Sequence, residues 1–122
     1  MMNYDFFIAQ LRFVAKKTDR QPLDVAASMN TLDGVIAQLE TGASSFHVLP
    51  CDLRITARAL AGVAGFFQQH ILPEAVASKN TAGEDQIRWT IEACMSMMAD
   101  LMAHAELNKD GEGMDVKLPA RS

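Results

Sequence analysis

Apolar residues recur at helical intervals along three stretches of this chain. Leu53, Ala57, Leu60, Ala64, Phe67 and Ile71 follow one another in alternating steps of four and three, as do Ile87, Ile91, Cys94, Met98, Leu101 and Ala105. Each set draws a narrow apolar seam of the kind that packs helix against helix. The third pattern is interrupted. Val25, Ala26 and Met29 precede Asn30, and Ile36 and Leu39 follow it, so the spacing predicts two short helices with a tight turn at Asn30. Asn tolerates the left-handed backbone such a turn needs. Glu40 and Gly42 then stand where a glycine cap closes the second helix.

Between the two long seams, Pro73, Ser78, Asn80, Thr81 and Gly83 mark a connection, with Thr81 or Gly83 as the expected cap of the last helix. Glu84 and Asp85 in its first turn suit the positive end of the helix dipole. Ala57, Ala61 and Gly65 stand at four-residue steps and would allow a close helix crossing. Trp89, Met95, Met97 and Met102 lie off the Ile87–Ala105 seam. A helix apolar on more than one face is either central to its own core or shared with a partner. Trp89, Ile91, Met95, Met98 and Met102 are the candidate positions for such a homodimer face, with a helix wholly buried within the monomer as the alternative.

The segment VAASMNTLDGVIAQLETG, residues 25–42, resembles the helix-turn-helix of the Cro/C1-type (Xre-like) DNA-binding family. Without a gap, LRFVAKKTDRQPLDVA (residues 11–26) falls on that family's first helix and the start of its second, and ITARALAGV (residues 55–63) on its fourth. The resemblance spans about residues 6–64 and implies a double-stranded DNA reader that acts as a dimer. It implies contact positions at Lys16, Lys17, Arg20, Gln21, Thr31, Asp33, Gly34, Ala37 and Gln38. Among these, Gln38 suits adenine and Asp33 accepts from cytosine. Pro22 after Gln21 fits the first position of a helix whose N-terminal amides can hold phosphate. Many members also pair a first-helix arginine with a glutamate ending helix three. The matching residues here are Ala15 and Glu40, so that pair is not expected.

Charge changes the picture. Between Arg20 and Arg54 there is no Lys or Arg, while Asp24, Asp33, Glu40 and Asp52 are all acidic. Phosphate neutralisation by Lys and Arg supplies most non-specific DNA affinity, and that charge lies instead on Arg12, Lys16, Lys17 and Arg20. A second function class follows: a helix-turn-helix-derived protein-binding module whose acidic face meets a basic partner, as an antirepressor or DNA mimic does.

Composition bounds the rest. The 122 residues are 49% hydrophobic with a formal net charge of −4, enough to bury a core and too acidic for a generic nucleic-acid or anionic-membrane binder. The expected fold is all-α: a four- to five-helix bundle over residues 1–72, a helical extension over 73–107, and a polar, poorly ordered tail over 108–122. Neither a secretory leader nor a membrane span is evident. Cys51 and Cys94 form no metal-binding spacing and read as reduced thiols of a cytoplasmic protein. His47, His70 and His104 are isolated, and no phosphate loop or nucleophile elbow is present, so no metal, cofactor or enzymatic activity is expected. Glu106, Asn108 and Asp110 imitate a calcium loop, but Lys117 stands where its bidentate glutamate belongs.

Overall fold

The computed structural model describes residues 5–17, 23–107 and 111–119, with side chains over 5–15, 31–107 and 111–119. The described chain is mostly helical and carries a small sheet. In order, it forms α1 (Asp5–Lys17), α2 (Leu23–Leu39), β1 (Ser45–Val48), a single 3-10 turn (Pro50–Asp52), α3 (Leu53–Phe66), a π-helical segment (Phe67–Ile71), α4 (Leu72–Ala77), α5 (Thr81–Leu107) and β2 (Met114–Lys117).

One core joins these elements. Phe7, Ile8, Leu11 and Val14 bury one stripe of α1, and Leu32, Val35, Ile36 and Leu39 one stripe of α2. They meet Leu53, Ala57, Leu60, Val63 and Ala64 of α3 and Ile87, Cys94, Met97 and Leu101 of α5 in a single cluster. The boundary expected after residue 72 does not coincide with any break in that core. The long-seam residues Ala57, Leu60, Ala64, Phe67, Ile87, Cys94 and Leu101 are all buried. Gly65, by contrast, has open space where a Cβ would lie, so no close crossing depends on it.

The turn expected at Asn30 is absent. α2 runs as one helix of 17 residues through Asn30 and Gly34. Each residue costs a helix interior only about 0.5–1 kcal/mol, which burial of the Leu32–Leu39 stripe outweighs. The helix ends as expected: Gly42 takes φ 92° and its N–H bonds the Leu39 carbonyl at 3.0 Å. Glu40 is ion-paired with the Arg12 guanidinium. A first-helix arginine therefore does reach Glu40, from one turn before Ala15.

Pro73 does not end the α3 seam. The chain widens into the π segment, where the Leu72 N–H bonds the Phe67 carbonyl, and then continues as α4 with Pro73 in its first turn. A proline lacks an N–H and its ring collides with the carbonyl four residues back; opening the preceding turn relieves both. The connection shrinks to residues 78–80. Lys79 takes the left-handed conformation at φ 57°, and the Asn80 side chain, rather than Thr81 or Gly83, caps α5 by accepting from the Gly83 N–H at 3.1 Å.

The sheet departs furthest from the all-α expectation. β1 and β2 pair antiparallel with Phe46 opposite Val116 and His47 opposite Asp115. Alternation sends Phe46, Val48 and Val116 into the core and His47 and Asp115 outward. Part of the expected tail is thus a strand, because Val116 and Leu118 bury apolar side chains that a free tail would leave in water. Gly113 passes so close to the Val48 carbonyl that an added Cβ would lie 2.4 Å from it, which bars any other residue there.

Candidate binding cleft

A cleft of about 310 Å³ opens where α2, β1 and the start of α3 converge, lined by Thr31, Gly34, Val35, Gln38, His47, Val48, Leu49, Asp52 and Thr56. Its walls are mixed. Val35, Val48 and Leu49 offer hydrocarbon, while Thr31, Thr56, His47 and Asp52 offer polar groups. The lining holds one carboxylate and no Lys or Arg.

Asp52 is placed by helix initiation and then not used for it. It stands at the N-cap of α3, where an aspartate normally accepts from the first-turn amides, yet its side chain makes no such bond. Asp52 is half-buried and lines the cleft beside the start of α3, near the positive end of that helix's dipole. Gly34 sits opposite on α2 with nothing within 4 Å of its Cβ position, so the absent side chain serves the opening and not the core. Asp33, the residue before it, is exposed on the same helix.

Gln38 has a structural task. Its Oε1 accepts from the His47 N–H at 2.7 Å and its Nε2 donates to the His47 carbonyl at 3.1 Å. One carboxamide thus covers the strand edge that β2 leaves open, as a further strand would. The outward His47 ring is held in turn by Asp115, Nδ1 to Oδ1 at 2.8 Å. The amide expected to read adenine is thus engaged within the chain itself, clasping the edge of β1.

The other expected DNA positions scatter. Thr31 and Gly34 join Gln38 in the cleft, while Asp33 and Ala37 are exposed on α2 outside its lining. Lys16 and Lys17 belong to the last turn of α1, with side chains outside the described set; Arg20 and Gln21 lie outside the described residues altogether. His47, Leu49, Asp52 and Thr56 were missed by sequence reasoning. The one signal for them was a carboxylate beside a helix start, which reads first as a cap.

The expected dimer residues divide. Trp89 is an internal anchor: its ring meets Phe6 at 5.3 Å and Phe7 at 5.6 Å, both edge-on, and so ties α1 to α5. Next to it, the buried Thr90 hydroxyl is shared between the Gln86 carbonyl at 3.0 Å and the Gln10 side chain of α1. Ile91, Met98 and Met102 are half-buried on the other flank of α5, and Met95 is 45% exposed. Cys94 lies between the flanks, where burial pushes its thiol up to about 12 and makes it inert, whereas Cys51 is exposed. Among the described residues no three metal-ligating side chains come together, and no helix is long and apolar enough to cross a membrane.

Comparison with known proteins adds no relative: no family model matches the chain, and neither a curated protein nor a solved structure matches it.

Proposed function

We propose that this protein is a binding module that captures a basic segment of a partner protein in the α2–β1–α3 cleft. The observation that carries this reading is Asp52, an N-cap aspartate that makes no capping hydrogen bond and lines an opening with hydrocarbon walls. A lysine or arginine fits such a site in two parts. Its methylene stem lies along Val35, Val48 and Leu49, and its charged head meets Asp52, with Asp33 adding attraction outside. The acidic run between Arg20 and Arg54 repels phosphate and attracts the same partner.

A Cro/C1-type transcriptional regulator is the second reading. The Gly42 cap favours it, and an α1 arginine does pair with Glu40, although from Arg12 and not from the position the resemblance gives. Against it stand the unbroken α2 and the engaged Gln38.

One paired selection separates them. The folded chain is offered a displayed library of random peptides and, in parallel, a random duplex library at low salt. The binding-module reading expects enrichment of Lys- and Arg-containing peptides. That binding should be lost in Asp52→Asn and in Gly34→Phe, the latter filling the cleft from an open helix position. A palindromic duplex with a steep salt slope, and no basic peptide, would overturn it in favour of the regulator.

A further inference from the structure

A second groove, of about 260 Å³, runs between α3 and α5 and is lined by Arg54, Ala57, Arg58, Met98 and Met102. Arg54 and Arg58 are exposed one turn apart on α3, and among the described residues neither has an ion-pair partner. Their guanidinium groups edge a methionine floor, the most adaptable apolar surface a protein can present.

The seam along this flank of α5 is Ile91, Met95, Met98 and Met102, in steps of four, three and four. That is the a/d rhythm of a two-stranded coiled coil. If Met95 and Met102 take the a positions, Glu92, Ala99 and Glu106 all fall at e, and all three are exposed. The g positions are Cys94 and Leu101, both buried beneath α3. The charge that a free coiled coil would carry at g is supplied there by Arg54 and Arg58 of α3 instead.

We infer that this face is the seat of a second copy of the chain, in a parallel two-fold dimer along α5. A two-fold axis parallel to the helices brings the g side of one copy against the e side of the other. Arg54 and Arg58, level with Met98 and Met102, then meet the partner's Glu106. An antiparallel arrangement would set g against g and e against e, and so would leave Arg54 and Arg58 without a facing glutamate. Trp89 takes no part. The dimer is independent of the cleft, which lies on α2, β1 and the start of α3.

Sedimentation equilibrium of the full chain over the micromolar range tests this. A reversible dimer is expected, weakened about tenfold or more by Glu106→Lys and by Arg58→Glu, and restored when the two reversals are combined. Glu106 and Arg58 are exposed, so each variant should keep the native circular dichroism spectrum. In a Cys51→Ser background, Met95→Cys should form an intersubunit disulfide under mild oxidation, since a parallel seam places the two copies of position 95 side by side. A monomer at every concentration, a dimer indifferent to both charge reversals, or no cross-link at Met95→Cys would overturn the inference.

Discussion

The two flanks of α5 look alike by exposure and differ in what covers them. The step from Trp89 to Met98 turns the helix through half a revolution at about 100° per residue, so the two side chains sit on opposite edges of the buried stripe. Both are half-buried and apolar. On the Trp89 edge, Phe6 and Phe7 close over the ring and Gln10 reaches the Thr90 hydroxyl. On the Met98 edge stand Ala57 and two exposed arginine side chains. Partial exposure therefore has two meanings along one helix. One edge is finished by the chain's own N-terminal helix, and the other is the one we infer to receive a second copy.

Mutations should split the two edges. Trp89→Ala removes the ring that joins α1 to α5 and should lower unfolding stability by about 3 kcal/mol, seen as a shifted urea midpoint. Between the edges, the buried Cys94 thiol binds its proton more tightly folded than unfolded. Its contribution is complete below its ordinary value near 9 and is lost as pH rises toward about 12. In that window the stability of the parent chain should fall relative to Cys94→Ala, by about 1.4 kcal/mol per pH unit at most. Thr90→Val keeps the shape but strands the Gln10 carboxamide, and should cost about 1 kcal/mol. Met95→Ala, on the open edge, should move the thermal midpoint of the monomer by less than about 0.5 kcal/mol equivalent. A Met95→Ala loss as large as that of Trp89→Ala in dilute protein would erase the distinction.

How much of this was legible depends on the length of each signal. The α3 and α5 seams repeat over several turns, and their buried residues follow the pattern closely. Gly42 was legible because a positive φ selects glycine. Asn30 misled, since a residue suited to turns carries only a small penalty inside a helix that buries Leu32, Val35, Ile36 and Leu39. Both strands escaped notice. Each has four residues, too few for alternation to stand out, and no hairpin turn joins them. The cleft was half visible. Thr31, Gly34 and Gln38 were singled out through a resemblance, for a different purpose. Asp52 was hidden by the expectation that an aspartate before a helix caps it. The resemblance puts the arginine position at Ala15 and so predicts no pair, whereas Arg12, one turn earlier on the same helix, makes it.

The pairing of β1 with β2 also orders the assembly of the chain. The strands lie roughly 65 residues apart, so joining them before α3 and α5 have folded would close a long loop for a few hydrogen bonds. The strand pair should accordingly form last and open first, giving the amides of Met114–Lys117 the weakest hydrogen-exchange protection of any strand or long helix. A chain cut short before Gly113 would keep its helices but bare Phe46, Val48 and an unpaired strand edge, the combination that invites another strand in. Residues 113–118 thus act as a built-in guard against aggregation.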